Sequence, residues 1–150
     1  MINTLNDLFT RDLNKLKSEI EQYTDEANLW LVDGEIPNSG GNLTLHLVGN
    51  LKHFVGTVLG GSGYVRERDL EFSTKGMPRV ELLQMIDETI ADVAAGLDKV
   101  TPEQLAAEYP IVVFADRTEP MTTEWVLMHL ATHLGYHLGQ INYHRRLLDK

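Results

Sequence analysis

No cysteine occurs in the 150-residue chain. Disulfides and thiolate zinc sites are therefore excluded, and any metal has to be held by imidazole and carboxylate. Basic residues are scarce, 13 against 22 acidic ones, for a net charge of −9. That balance argues against general nucleic-acid binding, which needs a basic surface to neutralise phosphates. It argues equally against docking on an anionic membrane. Long apolar runs are missing as well: no stretch reaches the roughly 18 residues of a membrane span. Met1 to Lys17 lacks the basic start and apolar run of a signal peptide. These absences lead us to expect a cytoplasmic protein with no membrane and no nucleic-acid partner. The length fits one domain over residues 1–150.

What the chain has is histidine in one place. His129, His133, His137 and His144 all fall in the segment Thr122 to Leu148, which reads as the last helix. Helical residues four apart lie one above the other on the same face. His133 and His137 can thus aim ring nitrogens at one point, which is how a helix offers two metal ligands. Two ligands hold a metal poorly, and His46, in the helical segment Asn42 to Leu59, is the best third. His129 to His137 spans about 80° of helix, too wide for all three to meet one ion comfortably. His144 lies about two turns beyond His137, too far for the same ion. His144 and His53 read as polar residues at a bundle surface or end. Gln140 and Asn50, with His129 at the edge of the face, are candidates for partners behind the ligands that fix imidazole tautomers.

The other segments supply a helical scaffold. Asn3 to Leu31 carries Leu5, Leu8, Phe9, Leu13, Leu16, Ile20 and Tyr23 at three- and four-residue steps, with Asn3 or Thr4 as the candidate cap. The second segment has an apolar face from Leu43 to Val58 and contains Gly49. A mid-helix glycine costs about 1 kcal/mol against alanine, so it suggests close helix approach or room at a site. Tyr64 to Met77 is polar and reads as a surface connection across one end of the bundle. Pro78 opens a third long helix, which stops near Lys99. Thr101-Pro102 starts a short one reaching Glu108. Ile111 to Phe114 is the only stretch with strand character, a short extended segment before the last helix. The expectation is an all-α four-helix bundle with long crossover connections.

Two motifs carry a resemblance. His133-Leu134-Gly135-Tyr136-His137-Leu138-Gly139-Gln140-Ile141 is similar to the C-terminal signature of the DinB/YfiT-like superfamily. His46-Leu47-Val48-Gly49-Asn50-Leu51-Lys52, followed by Arg66-Glu67-Arg68-Asp69-Leu70-Glu71-Phe72, resembles an uncharacterised branch of it. The resemblance implies a DinB-like four-helix bundle, often a homodimer. It implies a divalent metal held by one histidine of the second helix and two of the last, here His46, His133 and His137. It also implies a small-molecule substrate, with a low-molecular-weight thiol as partner, because the superfamily includes thiol-dependent S-transferases and an isomerase.

Three imidazoles without a fourth protein ligand leave a coordination position for water or substrate, the catalytic rather than the structural arrangement. Neutral imidazoles favour zinc or nickel, with iron as the alternative. The expected function is metal-dependent S-transfer or hydrolysis. The rival is a non-catalytic, metal-stabilised dimeric bundle that binds a small molecule or serves a stress response. No residue is assigned as general base; Asp69, Glu71 and Tyr136 are candidates by proximity alone.

Overall fold

The computed structural model describes residues 1–150 and contains α-helices with no strand. They are α1 (Ile2–Glu21), α2 (Gly40–Leu51), α3 (Arg68–Ser73), α4 (Arg79–Asp98), α5 (Pro102–Ala106) and α6 (Thr123–Leu148). No helix is long and apolar enough to cross a membrane. Side-chain caps set three of the six starts. The Ser39 side chain accepts from the Asn42 amide, and that of Thr122 accepts from the Trp125 amide. Thr101 and Gln104 form a reciprocal capping box ahead of α5. These bonds satisfy amides that a helix start otherwise leaves unpaired.

Several expectations change. The first helix does not run to Leu31, and it has no side-chain cap. It stops at Glu21, and a 3-10 turn covers Glu26–Trp30. The cause lies at the far end of the chain. The Asp149 carboxylate accepts from the amides of Thr24 and Asp25, the Thr24 hydroxyl and the Asn28 side chain. Those amides are thereby removed from a continuing helix. The second helix starts at Gly40 and passes into a π-helical turn, Lys52–Thr57. Residues 64–77 are not merely a surface connection, since they hold α3 with Glu71 only 5% exposed. Ile111 to Phe114 forms no strand; the nearest pairing is an isolated bridge between Glu108 and Thr122.

The four long helices form a ring. α1 packs on α4 and α6, while α2 packs on the same two from the other side. Successive long helices α1 and α2 therefore stand at opposite corners, which requires the long connections expected of a non-simple bundle. One cluster of buried side chains fills the centre, including Phe9 and Leu13 of α1, Leu47 and Leu51 of α2, Ile86 of α4, and Leu130 and Leu134 of α6. Glycine sets one close crossing. A Cβ on Gly96 of α4 would lie 2.5 Å from the Val55 carbonyl oxygen of the π turn. The Tyr109 hydroxyl donates to the Phe54 carbonyl at 2.6 Å, tying the α5–α6 connection to that same turn.

Candidate metal centre

α2 and α6 lie against each other, and the contact brings His46 to His133 and His137. Each of these three histidines offers a ring nitrogen within 4.8 Å of the others. His133 Nε2 lies 3.2 Å from His46 Nε2 and 3.1 Å from His137 Nε2. His46 is buried, and the other two are half-buried. Hydrogen bonds behind two of the rings fix which nitrogen carries the proton. His46 Nδ1 lies 3.0 Å from Glu71 Oε1, and a carboxylate can only accept, so Nδ1 carries the hydrogen. His137 Nδ1 faces Gln140 Oε1 at 2.7 Å in the same sense.

These bonds allow a proton count. A neutral imidazole has one N–H and one bare nitrogen. With both Nδ1 atoms protonated, the Nε2 atoms of His46 and His137 are bare. Both face His133 Nε2, which can offer one hydrogen at most. At least one lone pair is therefore without a donor, and three nitrogens converge where a cation would satisfy them all. The donor set suits zinc, nickel or iron(II). His133 adds a second sign: its Nδ1 is buried and has no hydrogen-bond partner. Burial first, then the neighbouring His137 and His46, push the His133 pKa down to about 3. Burial also lowers His137. Imidazoles kept neutral in this way are in the form that binds metals.

Glu71 is the residue whose role the sequence did not reveal. Arg66 clamps it with two bonds, Nε to Oε2 and Nη2 to Oε1, each 2.8 Å. Burial alone would raise the Glu71 carboxyl, but hydrogen bonds from Arg66 and His46 outweigh it and hold it below its ordinary value. So engaged, Glu71 is no free base. The signal for it was Gly49, three residues after His46. A Cβ there would sit 1.9 Å from Glu71 Oε2.

The remaining candidates fall outside the triad's hydrogen bonds. Asn50 is buried, but its Oδ1 has no partner and does not reach an imidazole. His129 stacks on Trp125, centroids 5.6 Å apart, with the Phe114 ring at 4.9 Å; it is not bonded to the triad. His53 sits in the π turn, edge-on to Phe54. Asp69 and Tyr136 are exposed. His144 departs most from expectation. It lies one turn before the end of α6, toward the end of the bundle, but not at the surface: it is only 2% exposed, bonded to the Tyr23 hydroxyl and the Leu31 carbonyl.

Fold and site together define a helical bundle with a three-histidine cluster between two of its long helices. The chain belongs to the family described as protein of unknown function (DUF1572), which matches residues 1–150. Among solved structures it is similar to a conserved protein from Enterococcus faecalis, with a TM-score of 0.71 and 16% identity over 99% of this chain and 96% of that one. At that identity the likeness shows the fold alone. No curated protein matches the chain in sequence.

Proposed function

We propose that this protein is a divalent-metal enzyme of the DinB/YfiT-like superfamily, acting on a small molecule at an ion held by His46, His133 and His137. The observation that carries the reading is the convergence of three Nε2 atoms that their own protons cannot satisfy. Zinc or nickel suits three neutral imidazoles best, with iron as the alternative. When bound, such an ion supplies Lewis acidity and lowers the pKa of a coordinated water or thiol. The chain's own residues supply the frame. Glu71 and Gln140 hold two rings in one tautomer, and Phe72, its centroid 5.0 Å from that of His46, shields one side. The resemblance makes a low-molecular-weight thiol the expected co-substrate, with S-transfer as the first reaction class and hydrolysis as the second. The same reading places the protein in the cytoplasm as a homodimer.

One observation favours a second reading. Glu71 is committed to Arg66 and His46, and Tyr136 stands 66% exposed. Neither is a free base beside the triad, as fits a metal-stabilised bundle that binds a small molecule without turning it over. Elemental analysis of protein made without a histidine tag tests the ligand set. It should find about one ion per chain, as one three-histidine site holds. His133→Ala or His137→Ala should lose the metal, while His129→Ala, His53→Ala and His144→Ala keep most of it. Equal loss from His129→Ala would mean that the ligands lie on a different face of α6. A thiol-transfer panel on the metal-loaded protein then separates enzyme from binder.

A further inference from the structure

α3 is held against α2 at two places, and only one involves the histidines. At the first, the Asn42 side chain donates to the Glu71 carbonyl at 3.0 Å and the Thr74 carbonyl at 2.8 Å. Those bonds reach the main chain, so they seat α3 whatever side chain occupies position 71. At the second, the Glu71 carboxylate enters the space left by Gly49 and meets His46 Nδ1. A buried arginine–carboxylate pair is a weak source of stability, because desolvation offsets most of the attraction. Docking alone therefore does not explain this pair. Arg66 Nη2 also comes within 3.4 Å of His46 Nδ1, but it can only donate, and it is already bonded to Glu71 at 2.8 Å. The carboxylate, closer to the ring and only able to accept, decides the tautomer.

We propose that Glu71, oriented by Arg66 in the space Gly49 leaves, is a positioning residue that locks His46 in its Nδ1–H form and turns Nε2 toward His133 and His137. The inference rests on the reading of the three histidines as a ligand set. It gives Arg66, Glu71 and Gly49 a joint role, which is to order the ligand that α2 contributes. Partners behind ligating histidines fix ring orientation, and their removal weakens metal binding roughly 10- to 100-fold.

The test uses the full chain with zinc(II) as probe. Arg66→Met/Glu71→Met replaces the ion pair with apolar side chains and leaves no unpaired buried charge. Glu71→Gln keeps an oxygen that can accept from His46. Gly49→Ala keeps both charged residues but drives the carboxylate from its place. Nitrogen-15 spectra of histidine-labelled, metal-free protein should show His46 protonated at Nδ1 in the wild type and in Glu71→Gln. They should show mixed tautomers in the double variant and in Gly49→Ala. Competition with a chromophoric chelator should show zinc affinity down roughly 10- to 100-fold in those same two variants and largely retained in Glu71→Gln. Unchanged tautomer or unchanged affinity in both overturns the proposal, as does a fall in Glu71→Gln matching the double variant. Should the double variant fail to fold, Gly49→Ala carries the same decision. A wild type that binds no zinc, yet loses its tautomer in these variants, overturns the metal reading and leaves the Glu71–His46 lock standing.

Discussion

The Tyr23 hydroxyl lies 2.7 Å from His144 Nδ1, and His144 Nε2 lies 2.9 Å from the Leu31 carbonyl. A carbonyl only accepts, so Nε2 carries the hydrogen and the tyrosine donates to Nδ1. Tyr23→Phe leaves that buried nitrogen unpaired and should cost about 1–3 kcal/mol by urea denaturation. Bound metal should be unchanged. Spacing alone could not have placed His144 here, since its partner is 121 residues away. By contrast, the spacing of His133 and His137 was legible, because four residues along a helix fix a shared face locally. His133 also carries a pH signature. Its folded pKa is about 3, against an ordinary 6.5. Between those values the unfolded chain binds a proton that the folded chain does not, so stability falls as pH falls. In metal-free protein, His133→Gln should therefore narrow the drop in thermal midpoint between pH 7 and pH 4. An equal drop in both proteins would rule His133 out as its source.

Whole elements were legible where one face had one job. α4 and α6 follow their apolar stripes and their start signals, Pro78 and the Thr122 cap, closely, starting within two residues of the expected positions. α3 was not legible because its sequence is charged and its buried residue is a glutamate, which no hydrophobic period reveals. Nor was the break after α1, because Asp149, the residue that takes the Thr24 and Asp25 amides, lies at the other end of the chain. Gly49 pointed to room at a site, and its neighbour Glu71 shows what the room holds. A second close approach occurs where α4 crosses the π turn. Gly96→Ala puts a methyl group against the Val55 carbonyl, where backbone rather than a flexible side chain has to move. That overpacking should cost about 1–3 kcal/mol, read as a lower denaturation midpoint. A midpoint equal to wild type would show that the crossing has slack.

At the scale of the molecule, a metal bound only by the folded chain adds to stability. The metal-loaded form should melt above the metal-free form at pH 7.5. Protons compete for the imidazoles, so the gap should close on acidification, with release centred at roughly pH 4–6. A gap that is absent at pH 7.5, or unchanged down to pH 4, removes His46, His133 and His137 as the ligands. Assembly is testable too. Trp125, Met128, Tyr136, Tyr143 and Leu147 of α6 are all 40% or more exposed. At 3.6 residues per turn they fall within roughly 100° of arc. An apolar stripe of this kind supports the proposed homodimer. Sedimentation should give a particle of twice 16.9 kDa; a 16.9 kDa particle at every concentration would reject it.

His46 meets Glu71 across 25 residues of chain and His133 across 87. The two halves of the centre therefore become available at different moments of synthesis. Glu71 and Arg66 leave the ribosome soon after His46, but the core that buries them includes α6, and a domain generally folds as a unit. His133 and His137 come only with α6, after the other five helices have been made. A nascent chain that has not yet reached α6 carries only one of the three imidazoles. On the proposed metal reading, capture would follow completion of the bundle, and the arrival of the ion would report that the last helix has docked.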